Sequence, residues 1–172
     1  MNKETKKMKI CKILAPLDGS PIGDCILNYT RLIASGCENP EVHLLHVLEP
    51  MPYALASKQC VAEYMVTREE DNIRWANDYL EEKRKEMQSD GIKACRVLLK
   101  GKAAETIISY AVENTIDLIV ISNHGRSGFT KLVLGSVADI VARESPVPVL
   151  ITRPRGCKAK EQTQVLEDRV TA

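Results

Sequence analysis

Aromatic residues are scarce in this chain, 4% of 172 residues, with one Trp and one Phe. Binding single-stranded nucleic acid takes a row of rings along a basic groove, so that class of function drops out. Charge of one sign is missing as well. Lys and Arg number 24 against 23 Asp and Glu, a formal net charge of +1, which gives no global field to hold nucleic acid or an anionic membrane. No apolar run approaches the roughly 20 residues that span a bilayer. Lys12 interrupts the apolar stretch behind the basic N-terminus before a signal segment can form. A cytoplasmic protein with neither membrane nor nucleic-acid partner is the expectation. The 6 cysteines (Cys11, Cys25, Cys37, Cys60, Cys95, Cys157) form no CxxC pair, which excludes a zinc knuckle and a thioredoxin-type motif and leaves reduced thiols as the expected state. His43 and His46, three apart in an apparent strand, point to opposite faces and cannot share one ion. No metal site is expected.

What is present is an ordinary globular composition, 44% hydrophobic and 27% charged, in a length that suits one domain. Residues 1–8 read as a polar, basic leader and 154–172 as a mobile tail, around a domain over 9–153. KICKILAP is a short apolar run that ends at the turn signal Asp18-Gly19-Ser20. Ile22, Ile26, Tyr29 and Ile33 then share a helical face, with Gly36 as the stop. EVHLLHVLEP is a near-continuous apolar run of the kind expected of a strand covered on both faces. A long charged helix over about 57–90 keeps Ile73, Ala76, Leu80 and Met87 inward, places Glu70–Arg74 and Glu81–Lys85 as i,i+4 pairs on a wet face, and ends at Gly91. KACRVLLKG, DLIVIS and VPVLIT are further strands, separated by AAETIISYAVENT, with Ala104, Ile107, Ile108 and Ala111 inward, and by a short helix from about Ser136.

Apolar strands alternating with amphipathic helices predict an α/β fold, an open parallel sheet with helices on both faces. Pro148 cannot donate to a ladder, which places the fifth strand at an edge. In such a sheet ligands bind beyond the carboxyl ends of the strands, where the strand order reverses. Two features converge there. Asp18 follows the first strand, and the fourth strand runs into SNHGRSGFTKLVLGSV, a long loop with Gly125, Gly128 and Gly135 across it. Ser136 at a helix start adds unpaired N–H groups and the positive end of the helix dipole, an anion site. Each feature also has a plain structural explanation. Ser136 with Asp139 resembles a capping box, and Asp18 can brace its own turn by an Asx bond.

Four stretches, KILAPLDGS, LLHVLEP, GKAAETI and HGRSGFTKLVLGSVADIVARESPVPVLITRP, carry a resemblance to the universal stress protein family over about residues 9–153. The resemblance implies a Rossmann-like, adenine-nucleotide-hydrolase-like fold of five parallel strands in the order 3-2-1-4-5, a homodimer paired through the fifth strand (Val147–Ile151), and ATP held without a fast reaction, with Mg2+ carried by the phosphates. ATP-binding members carry G-x2-G-x9-G-[S/T]. Gly125, Gly135 and Ser136 match its second half, whereas Ser122 stands where the first glycine belongs. By resemblance Gly125, Gly135, Ser136 and Val137 would face phosphates and ribose. Asp18 and the Leu17 backbone would meet the adenosine, and Val47 would flank adenine. Pro16 fits the first-strand pattern, and His124 would shape the loop or order a water at the γ-phosphate.

Ser122 leaves two outcomes open. A position that needs positive φ costs a non-glycine residue about 1–2 kcal/mol, which lowers affinity by roughly tenfold. With an ordinary φ, serine adds only a Cβ and a hydroxyl. The expectation is a stress-response regulator that binds ATP at the C-terminal ends of strands one and four. The alternative is a nucleotide-free homodimeric interaction module of the same family. No GxxxxGK[ST] loop and no GxGxxG follow a strand, and no catalytic residues are expected beyond slow, incidental hydrolysis. A receiver domain would need an acidic cluster at strand one, and a flavin site would need stacking rings.

Overall fold

Every apolar run that the sequence marks becomes a strand in the computed structural model, which describes residues 12–50, 59–123 and 135–153, apart from the side chains of Ile22 and of 59–66. In chain order the elements are β1 (Lys12–Pro16), α1 (Pro21–Asp24), α2 (Ile26–Ser35), β2 (Glu41–Leu48), α3 (Gln59–Ser89), β3 (Lys93–Lys100), α4 (Ala103–Glu113), β4 (Leu118–Ser122), α5 (Ser136–Glu144) and β5 (Val149–Thr152). All neighbouring strands pair in parallel, and the order β3-β2-β1-β4-β5 is the expected one. The leader expected over 1–8 and the tail over 154–172 lie outside the described residues.

Alternation along the central strand divides the core in two. Ile13, Ala15 and Leu17 pack with Val42, Leu44, Leu80 and Met87 beneath α2 and α3. Leu14 packs instead with Leu45, Ile107, Ile119 and Val141 beneath α4 and α5. Ile13, Leu14 and Ala15 are fully buried, which is why β1 and β2 read as continuous apolar runs and not as alternating ones. Among the described residues β5 pairs only with β4 and forms an edge. Pro148 sits just ahead of it, where its carbonyl accepts the Ile119 N–H at 2.9 Å and its missing donor breaks no ladder bond.

Three expectations need correction. The first helix is split by a turn at Cys25, which rotates the buried stripe to Ile26, Leu27, Thr30 and Ala34 and leaves Tyr29 exposed. On α3, Ala76, Leu80 and Met87 are buried as expected, but the ion pairs run i,i+3. Arg74 meets Asp71, and Arg84 forks both oxygens of Glu81 at 2.8 and 2.6 Å. That bidentate geometry outcompetes a point-charge Lys and holds the Glu81 carboxyl down to about 2. Gly91, at φ +76, closes this helix as expected, with its N–H on the Gln88 carbonyl at 2.9 Å. Finally, Cys37 and Cys95 are free thiols but Cys25 is in a disulfide. Disulfide formation depends on Cα atoms within about 4.4–6.8 Å, a tertiary fact that spacing along the chain does not carry.

Candidate nucleotide cleft

Beyond the carboxyl ends of β1 and β4, where the strand order reverses, a cleft of about 580 Å³ opens, within the usual range for small-molecule sites. Pro16, Leu17, Asp18, Val47, Ser122, Gly135, Ser136 and Val137 all line it. Eight expected residues from four separate stretches therefore meet in one concavity. The other two, His124 and Gly125, lie outside the described residues.

At the β1 end the plain explanation of Asp18 holds. Its Oδ1 accepts the Ser20 N–H at 3.0 Å and the Ser20 hydroxyl at 2.7 Å, while Ser20 Oγ accepts the Gly23 N–H at 2.9 Å. The carboxylate thus braces its turn and walls the cleft as well. Gly19 takes φ +80, and a Cβ there would stand 2.2 Å from Trp75 Cη2, so the turn needs glycine twice over. The Leu17 backbone is committed: its N–H donates to the Leu45 carbonyl at 2.8 Å, and its carbonyl accepts from His46 Nδ1 at 2.7 Å. Because a carbonyl only accepts, that bond fixes the proton on Nδ1. A ligand that meets Leu17 has the second carbonyl lone pair to use.

At the β4 end Ser122 continues the strand, in register with Thr152, and its φ is not positive. The strain that a left-handed position would impose does not arise. Gly135 is the N-cap of α5, with φ −59 and ψ 147, and as a glycine it brings no side chain to cap the helix. The capping-box reading of Ser136 and Asp139 fails, because Ser136 is the first helical residue and the Asp139 carboxylate pairs with Arg143 at 2.6 Å. Asp139 N–H makes the first intrahelical bond, to the Gly135 carbonyl at 2.9 Å. The amides of Ser136, Val137 and Ala138 have no intrahelical partner, and all three residues line the cleft. Gly135 also lies close to the backbone opposite: its N–H donates to the Asn123 carbonyl at 2.9 Å, and a Cβ would sit 3.1 Å from that oxygen.

The family model described as "Universal stress protein family" matches residues 10–153. The chain belongs to the universal stress protein family. It is 25% identical over 153 residues to universal stress protein MJ0577 of Methanocaldococcus jannaschii, covering 83% of this chain and 94% of that protein. The solved structure of MJ0577 superposes with a TM-score of 0.73 at 26% identity, covering 86% of this chain and 99% of the other. A universal stress protein family member from Arabidopsis thaliana, solved with AMP bound, superposes at a TM-score of 0.61 and 15% identity, covering 85% and 93%. A universal stress protein solved in complex with cAMP does so at 0.57 and 20%, covering 85% and 98%. These last two show the shared fold.

Among the lining residues of this universal stress protein that the sequence reading did not select are Asn123, His46 and Trp75. Asn123 is 6% exposed, with its Oδ1 buried and unpartnered. Its backbone is pinned from both sides, N–H to the Thr152 carbonyl at 3.0 Å and carbonyl to Gly135. His46 is buried, and its ring meets Trp75 edge-on at 5.6 Å and 73°. Trp75 stacks on Tyr79 at 5.3 Å and 4°, and the Tyr79 hydroxyl donates to Asp24. Burial and that carboxylate push the Tyr79 pKa far above its usual value, so the phenol stays a donor. The low ring count hid this cluster: the fold brings Trp75, Tyr79 and His46 together at one wall of the cleft. A turn-adjacent Asn just after strand four was the one readable signal.

Proposed function

We propose that the cleft binds an adenine nucleotide, ATP with Mg2+ brought in by its phosphates, and that occupancy makes this cytoplasmic protein a regulator in the stress response. The observation that carries this reading is the glycine-capped N-terminus of α5, which among the described residues has no side-chain cap, opening into the cleft at the reversal of strand order. Three amides and the helix dipole there suit an anion. Ser122 and the buried Asn123 stand beside them, and the aromatic wall lies at the other end, towards Asp18 and Val47. The adenine nucleotides held by the AMP-bound and cAMP-bound family members support the same ligand class. Turnover is not part of the proposal. His46, the one imidazole lining the described cleft, spends Nδ1 on the Leu17 carbonyl and is placed to hold the wall.

Assembly belongs to the same reading. Among the described residues β5 has one ladder edge unpaired, and Leu150 within it is 38% exposed, a template for pairing with a second copy through Val147–Ile151. Sedimentation should show a dimer at micromolar concentration, and a monomer there would remove this part. The test of the ligand is to denature purified protein, identify any nucleotide released, then titrate stripped protein with ATP and Mg2+ by calorimetry. Binding that Gly135→Val abolishes is expected, since its branched side chain fills the mouth of the α5 amides. No binding in the millimolar range would overturn the reading in favour of a nucleotide-free interaction module.

A further inference from the structure

On the opposite face from His46, at the start of β2, three metal-ligating side chains converge. Glu41 and His43 are two apart on one strand and so share a face, and Cys95 is the register partner of His43 on β3. One ligand atom from each lies within 4.8 Å of the other two. The His43 side chain is 9% exposed, with Nε2 3.9 Å from Glu41 Oε1, too far for a hydrogen bond, and Nε2 is buried with no hydrogen-bond partner. The other ring nitrogen is engaged: Nδ1 lies 2.7 Å from the Tyr110 hydroxyl of α4.

We infer that Glu41, His43 and Cys95 form a site for a borderline-soft divalent cation, Zn2+ in the first instance. The donor set argues for that ion. Thiolate, imidazole and carboxylate are its three usual protein ligands, and three of them leave a fourth position for water. Tetrahedral bonds of about 2.0–2.3 Å place ligand atoms roughly 3.3–3.8 Å apart, so the observed spread closes by side-chain adjustment on two paired, rigid strands. With Nδ1–H donating to Tyr110, the Nε2 lone pair is left for the metal, the outer-sphere arrangement that metal-bound histidines use. Cys95 ligates as its thiolate, so the ion displaces a proton there. Lys93 Nζ, 3.2 Å from Glu41 and on a largely exposed side chain, neutralises the carboxylate when no ion is present and is long enough to swing away. This site is independent of the nucleotide reading: it lies on other residues and its test uses no nucleotide.

The experiment uses the full chain, reduced and stripped with chelator, titrated with Zn2+ against a chromophoric competitor and with Co2+ by absorption. One ion per chain is expected, with a thiolate-to-cobalt charge-transfer band. Cys95→Ser should abolish the band and weaken Zn2+ by at least about tenfold, His43→Gln should weaken it similarly, and Cys37→Ser should change neither. Tyr110→Phe should weaken Zn2+ by about 10–100-fold with the band retained, and Lys93→Met should tighten it. Circular dichroism and melting check that each variant folds. If His43→Gln does not, the half-buried Cys95→Ser carries the test. No Zn2+ binding, or binding and band unchanged in Cys95→Ser, would overturn the inference.

Discussion

Beneath α3, the His46 imidazole gives Nδ1 to the Leu17 carbonyl and rests edge-on against Trp75. Beneath α4, three residues earlier on the same strand, His43 holds the Tyr110 hydroxyl and leaves Nε2 without a partner. Both rings are buried, yet they serve the two faces differently. His46 ties β2 to the chain as it leaves β1, at the wall of the cleft, and its hydrogen bond secures a backbone carbonyl that would otherwise be buried unpaired. His43 secures only a hydroxyl near the molecular surface, and its unused nitrogen points towards a carboxylate with a thiol close by. A buried imidazole is thus structural on one face and chemically available on the other, and what separates them is the partner of the second element.

His46→Ala should break this comparison hardest. It leaves the Leu17 carbonyl unpaired and opens a cavity against Trp75, for a loss of about 3–4 kcal/mol in urea unfolding. Gly19→Ala comes next, on the same wall. A Cβ at φ +80 costs about 1–2 kcal/mol of backbone strain and must also displace the Trp75 indole, so thermal unfolding and near-ultraviolet circular dichroism should both shift. On the opposite face His43→Phe keeps the volume and loses one hydrogen bond, about 1 kcal/mol. If it proves as damaging as His46→Ala, the contrast between the faces is wrong. Ser122→Gly should do least: with Ser122 in an ordinary strand conformation, ATP affinity measured by calorimetry should move less than tenfold, under about 1.4 kcal/mol.

The strands and their parallel pairing were legible because apolar runs, a Pro at an edge and turn residues act locally and survive translation into structure; of the eight cleft residues, Asp18, Gly135 and Ser136 were legible in that way and the other five came through the family resemblance. What escaped the sequence was set at a distance. Tyr29 carries the period of a buried helical face, but the break at Cys25 rotates that face away. Ser136 and Asp139 have capping-box spacing, yet Gly135 takes the cap and Arg143 takes the carboxylate. Trp75 and His46, on different elements and far apart along the chain, carried no joint signal, and neither did Glu41, His43 and Cys95, which only the β2–β3 register unites. Opposite-face reasoning rightly separated the two histidines. It could not see that a neighbouring strand would supply each with other company.

Trp75 has a consequence of its own. It is the chain's one tryptophan, 46% exposed, and it stands on the wall of the cleft. Indole emission responds to the polarity and stacking of whatever touches the ring, and here no second indole dilutes the signal. The protein therefore carries its own label: an occupant seated against that wall alters the fluorescence of unmodified protein, and filling and emptying can be timed in a stopped-flow cell.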